Sequence, residues 1–239
     1  IRHDVREGVA ISRHQATQMA TGNVVAYIDA HQRVSRHCLD RLANVALEQL
    51  AVVSVDACNF SFLATIAHGA DFRLCPQRGY FSARWRHERP ATIVSRVTSL
   101  KAPAYALPRS IYPRIHWIES LRGWGGSEAA ISLKSFFTGL DILHLQGPIA
   151  KHRFRRAFPY AISWDEVWRN QALIARICFD DHTWNEYWLP KVFEKHLSAL
   201  TREELESNGV IGQHVAFQAV KSRSDREFWI QLLREAAPS

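Results

Sequence analysis

The sequence predicts an α/β fold: a mostly parallel sheet flanked by helices, with a helical C-terminal extension. Two segments of helical pattern are each followed by a short, continuous apolar run, the sign of crossover units feeding a parallel sheet. From Trp164 onward helical spacing takes over, with helix-start signals of its own. At roughly 150 residues per domain, 239 residues allow one large domain or two small ones. The expected division is an α/β core over 1–160 and a helical extension over 161–239 packed upon it.

The first helix is expected over Glu7–Ala20, with Val9, Ile11 and Met19 on its apolar side and Gly22 as its stop. The run Asn23–Ile28 reads as a strand buried on both faces and ends abruptly in Asp29-Ala30-His31. A second helix fits Arg36–Gln49, and Ala51–Val55 reads as the next strand. Between Ala67 and Arg114, Pro76, Pro90, Pro103, Pro108 and Pro113 break the pattern into loops and short strands that shape a cleft. Ser127 then caps a helix over Glu128–Thr138, which Gly139 stops. Asp141–Leu145 is a short strand, and Gly147-Pro148 turns the chain into Ile149–His152. In the last third Asp165 and Glu166 mark a helix start, and Thr201–Glu204 has capping-box spacing. Trp164, Trp168, Trp184 and Trp188 fall at helical spacing and read as packing residues.

With 47% hydrophobic and 22% charged residues, the composition excludes a disordered or fibrous chain. No apolar run reaches the roughly 18 residues needed to cross a bilayer, and no signal peptide opens the sequence. Cys38, Cys58, Cys75 and Cys178 are far apart, without a Cys-x-x-Cys pair, so they read as buried thiols in a reducing, cytoplasmic compartment. The net charge of +7 is carried by 24 arginines against 6 lysines. Arginine forks match phosphate and carboxylate geometry, which suits an anionic ligand, although a genome-wide bias gives the same ratio.

Asp29-Ala30-His31 is the most informative triplet. Residues i and i+2 of a strand share a side, so carboxylate and imidazole converge at the end of a strand, where open α/β sheets bind ligands. That donor pair suits a divalent ion of intermediate hardness such as Mn²⁺, whereas a solvated turn is the plainer reading. His144 is a poorer ligand candidate, since Leu143 and Leu145 flank it and no motif includes it.

Three blocks resemble a known family. Arg6-Glu7-Gly8, Arg13 and the stretch Ala20–His31 are similar to the nucleotide-sugar region of GT-A glycosyltransferases, above all the polypeptide N-acetylgalactosaminyltransferases, whose helix–strand unit ends in Asp-x-His. Gly123-Trp124-Gly125-Gly126-Ser127-Glu128 resembles the family's Trp-Gly-Gly-Glu-Asn stretch. His152-Arg153-Phe154-Arg155 with Pro159-Tyr160 resembles its His-x-Phe-Arg…Pro-Tyr segment. The likeness spans residues 2–160.

The resemblance implies a GT-A, Rossmann-like core and a manganese-dependent transfer of a sugar from a UDP-type donor to an acceptor hydroxyl, with retention of anomeric configuration. Asp29, His31 and His152 would ligate the metal; Arg6, Arg13, Ala30, Trp124, Gly125 and Tyr160 would bind the donor; Glu128 and Arg155 would act in catalysis, Arg155 from a loop that closes over the diphosphate. In an inverting relative, Glu128 would be the general base. The family's first strand and base-binding aspartate would precede Ile1. Ser127 stands at the family glutamate with Glu128 one place later, Phe158 replaces a loop histidine, and Lys101–Tyr105 replaces a glycine-rich stretch. A peptide Ser/Thr is the acceptor the likeness implies; the basic chain also suits a hydroxylated DNA base. The other readings are a non-catalytic nucleic-acid-binding protein and a nucleotide-sugar hydrolase.

Overall fold

The computed structural model describes residues 7–61, 64–76, 80–101, 104–154 and 161–236. Helix α1 (Val9–Met19) leads into β1 (Val24–Ile28), a tight turn, β2 (Gln32–Val34), α2 (Cys38–Gln49) and β3 (Val52–Cys58). β4 (Ala70–Cys75) and β5 (Tyr80–Trp85) form a separate two-stranded sheet. β6 (Val94–Val97), β7 (Ala104–Pro108), α3 (Tyr112–Ile115), α4 (Ser127–Phe137) and β8 (Ile142–His152) complete the sheet region. The rest is helical: α5 (Trp164–Cys178), α6 (Asp181–Thr183), a π-helical stretch Trp184–Phe193 that carries Pro190, α7 (Ala199–Leu205), α8 (Asn208–Val220) and α9 (Asp225–Ala236).

The central sheet has the order β1-β7-β3-β8-β2, with β6 also on β8. It is flanked by helices as expected, but it is mixed and not mostly parallel. Among the described strands β3–β8 is the parallel pair, and β1–β7, β7–β3, β2–β8 and β6–β8 run antiparallel. β7 accounts for two of these pairs: Ala104–Leu107 is an apolar run between Pro103 and Pro108, and the chain returns through it antiparallel to both β1 and β3 without a crossover helix. β7 is buried along its whole length, whereas β1 has Tyr27 alone buried. The expectation that Asn23–Ile28 is covered on both faces is therefore corrected, since β1 pairs on one side with β7.

Strand alternation builds the core on both faces. Val53, Val55, Ala104 and Ala106 meet Leu42 and Ala46 of α2 on one face, while Val52, Tyr105 and Leu107 meet Ile115, Trp117 and Ile131 on the other. A third cluster joins Leu133 and Phe137 of α4 to Leu173, Ile177, Trp184, Trp188, Phe217 and Phe228. Trp164, expected to pack, is half exposed, and Trp168 lies against His196 with ring centroids 3.8 Å apart. The cysteines are free thiols, three of them buried.

Local signals shift by small amounts. Gly126, at φ +91°, is the N-cap of α4, so Ser127 is its first residue and not its cap. Ser198 caps α7 and accepts from the Thr201 N–H, which moves the expected capping box back one turn. β8 runs through Gly147-Pro148 as one strand with a register shift opposite Val55/Asp56, where two strands joined by a turn are expected.

Arg169 ties α5 to α7. Its guanidinium holds both Glu204 oxygens and donates to the Ser120 carbonyl at 3.0 Å. The hydrogen bond from Arg169 keeps the Glu204 carboxyl below its usual range despite partial burial. A depressed folded-state pKa means that this stabilisation is present above the unfolded value and is lost as acid protonates Glu204 in the fold. Glu204→Gln should therefore cost about 2 kcal/mol near neutrality and flatten the acid limb of stability, read by urea unfolding at several pH values.

Candidate metal and donor site

The tight turn between β1 and β2 puts the functional triplet at the sheet edge. Gln32 N–H donates to the Asp29 carbonyl at 3.2 Å, so Asp29, Ala30 and His31 sit in a turn and do not share one side of a continuing strand. Convergence still occurs, because β2 pairs antiparallel with the end of β8 and brings Gln32 opposite His152. One ligand atom each from Asp29, His31 and His152 lies within 4.8 Å of the others. His152 Nε2 is 3.5 Å from Asp29 Oδ2, and the two imidazole centroids are 4.4 Å apart.

These residues fit a divalent ion. The donor set is one carboxylate oxygen and two imidazole nitrogens, which suits Mn²⁺ or Zn²⁺. His152 Nδ1 is buried with no hydrogen-bond partner among the described residues, so one nitrogen of this ring has no protein commitment there. Burial opposes ionisation of Asp29, but the hydrogen bond from His152 and the charge of Arg13 outweigh it and hold the carboxyl below its usual range. The group is half-exposed and so open to a ligand.

Arg13 is the centre of the site. Its Nη2 donates to Asp29 Oδ1 at 3.0 Å, and its Nη1 donates to Glu128 Oε1 at 2.7 Å and to the Tyr105 hydroxyl at 2.9 Å. The guanidinium carbon lies 5.4–5.8 Å from the ring centroids of Tyr27, Tyr105 and Trp117. Burial alone would weaken its charge, but the Tyr105 oxygen, Glu128 and Asp29 reverse that and raise its pKa. One planar fork thus aligns a metal-ligand candidate and Glu128. The aromatic floor is itself fixed, since the Tyr27 hydroxyl meets Thr17 Oγ1 at 2.6 Å and accepts from Trp117 Nε1 at 3.3 Å.

The shift of the carboxylate by one place has a structural answer. Ser127 is buried, and Glu128, second in α4, reaches Arg13 across the site. The glycines around Trp124 serve the protein interior and need no ligand to explain them. A Cβ on Gly126 would lie 2.7 Å from Ile174 Cδ1, and one on Gly8 would lie 3.1 Å from the Gly123 nitrogen. Gly125 accepts from Asn170 through its carbonyl at 3.2 Å. Trp124 is left 38% exposed on this loop, and Ala30 is exposed in the turn. Arg6, Arg155, Phe158 and Tyr160 lie outside the described residues.

A groove of about 370 Å³ opens beside the cluster, lined among others by Cys58, Asn59, Ser61, Thr65, Trp85 and Phe154. Phe154 links the two, with its ring 4.4 Å from that of His152 and 6.2 Å from that of Trp85. The sequence places a cleft within Ala67–Arg114 and sets Tyr105 in a stretch that replaces a glycine-rich one, but it does not show Tyr105 as a partner of Arg13. The alternation Ala104-Tyr105-Ala106-Leu107 was the available signal for Tyr105, but the prolines around it hid a central strand.

This fold is the GT-A fold of glycosyltransferases. Residues 1–99 match the family model described as glycosyl transferase family 2. Among solved structures the chain is similar to GalNAc-T7, crystallised with UDP, GalNAc and Mn²⁺: the TM-score is 0.72 at 16% identity, over 98% of this chain. The chain spans 46% of that structure's length. Among the described residues no helix is long and apolar enough to cross a membrane.

Proposed function

We propose that this chain is the catalytic part of a metal-dependent glycosyltransferase that moves a sugar from a UDP-type donor to an acceptor hydroxyl. The convergence of Asp29, His31 and His152 beside the Arg13–Glu128 pair carries this reading. Asp29, His31 and His152 would hold a divalent ion, which would supply positive charge to the departing diphosphate. In the transfer the bond from the sugar C1 to the diphosphate oxygen breaks, the acceptor oxygen bonds to C1, and the acceptor proton passes to the departing diphosphate oxygen. Arg13 keeps Asp29 aimed and ionised throughout. Glu128, held by the same fork, faces the donor side, where a carboxylate can accept from sugar hydroxyls. Trp124 offers an exposed apolar face to the sugar, and Gly125 and Ala30 backbone to the donor. Arg6, Arg155 and Tyr160 keep the donor and diphosphate roles that the resemblance implies.

For the acceptor we favour a peptide Ser/Thr. The groove that reaches His152 through Phe154 is walled by aromatic, hydroxyl and amide groups, a lining that suits an uncharged chain. The test is UDP release from a panel of UDP-sugars with Mn²⁺, with and without a Ser/Thr peptide or hydroxymethylated DNA. Peptide-stimulated, chelator-sensitive release is the expected result. Stimulation by DNA that fades with rising salt would establish the polyanionic acceptor instead, release that no acceptor enhances would mean a hydrolase, and no release from any donor would contradict the proposal.

A further inference from the structure

A second histidine–carboxylate cluster lies inside the sheet, away from the exposed turn. Asp56 follows the register shift of β3, His144 is the third residue of β8, and His68 lies just before β4. His68 Nδ1 is 2.7 Å and His144 Nε2 2.8 Å from the same oxygen, Asp56 Oδ1. The other carboxylate oxygen accepts the Gly147 N–H at 2.8 Å. Asp56 and His144 are buried, and His68 is nearly so.

We propose that Asp56, His68 and His144 form a second divalent-cation site, of zinc type, that clamps the β4–β5 hairpin to the main sheet. Two imidazole nitrogens that flank one carboxylate oxygen at 2.7 and 2.8 Å are three protein donors for a borderline ion that takes its fourth ligand from solvent. The cluster is tightly built. Leu143 and Leu145 pack on the α2 face, so alternation turns His144 to the opposite side. Gly69 (φ +87°) lets backbone close on that ring, since a Cβ there would come within 3.2 Å of it. Gly147 orients the carboxylate as an outer-shell donor.

Without a cation, both rings must present N–H to a single oxygen. With one, each offers a lone pair, and the His144 proton moves to Nδ1, which is buried with no partner among the described residues. The metal–ligand bonds outweigh that loss, because cation binding to a site that only the folded chain assembles adds directly to folding stability. The consequence lies at the neighbouring groove. Ala67, Trp85 and His87 line it, and all three belong to the segment that His68 anchors. The two sites differ in burial: Asp29, His31 and His152 are half-exposed or exposed, whereas Asp56 and His144 are buried.

The test uses the chelator-stripped protein titrated with Co²⁺ or Zn²⁺ alone. Wild type should bind two equivalents. His31→Ala should keep one, with the intense visible bands of tetrahedral Co²⁺ and a Zn²⁺-dependent rise in Tm of several degrees. His68→Gln should lose those bands and that rise while keeping Mn²⁺-dependent UDP binding. His144 is fully buried and its replacement risks misfolding, so His68→Gln is the deciding variant. A single equivalent in wild type that His31→Ala abolishes, or bands unchanged in His68→Gln, would overturn the proposal; a simple hydrogen-bonded triad gives that result.

Discussion

Asp29→Ala is expected to lower kcat/KM for sugar transfer at least about 10³-fold, or roughly 4 kcal/mol of transition-state stabilisation, and to abolish its dependence on Mn²⁺. Asp29 supplies the only carboxylate of the three-residue group and is held ionised by His152 and Arg13. The loss should be confined to function. Asp29 lies in a half-exposed turn, and Arg13 keeps its bonds to Glu128 and Tyr105 in the variant. Asp29→Asn, which preserves shape but not charge, should fall nearly as far. Kinetics over a Mn²⁺ series, set beside thermal unfolding of the same samples, checks both halves. A variant within threefold of wild type would show that the cluster holds no metal needed for the reaction.

Arg13→Met is the second large effect. It leaves Asp29 and Glu128 without the cation between them and the Tyr105 hydroxyl without its donor. Loss of the group that aims Asp29 costs about 10² in rate, and the partly buried, unpaired carboxylates should lower stability by about 2–3 kcal/mol. Arg13→Lys should rescue little, because an ammonium cannot span two carboxylates and a hydroxyl as a planar fork does. Steady-state kinetics and urea unfolding of both variants read these effects separately. Full activity in Arg13→Lys would mean that charge alone matters at this position.

The fold was legible where periodicity is strong. The first two helices, the strand after each and the helical C-terminal third emerged within a few residues of their bounds, because apolar spacing and glycine stops act locally. What failed depends on partners far along the chain. Nothing in Val24–Ile28 says that its neighbour is β7, running antiparallel, since a short apolar run reads the same on an edge as in the middle of a sheet. The prolines around Ala104–Leu107 predict only loops and short strands, yet this run is the strand that bridges β1 and β3.

The site shows the same division. Asp29 and His31 stand out as a doublet and His152 through its neighbours in sequence, and pairing of β2 with β8 brings all three together. Arg13, by contrast, shows its hub position only once α1 lies over Tyr27 and Tyr105. Asp56 and His68 went unremarked and His144 was discounted, because three separate segments carry them and none holds a motif.

The most direct test of the donor site is UDP binding measured by thermal unfolding, with and without Mn²⁺, on wild type and His31→Ala. A ligand at a hundredfold its dissociation constant adds about 2.7 kcal/mol to stability, a clear rise in Tm. Wild type should show that rise with UDP only when Mn²⁺ is present, and His31→Ala should show none. A rise that is independent of the metal, or one that persists in His31→Ala, would contradict a donor site built on Asp29, His31 and His152.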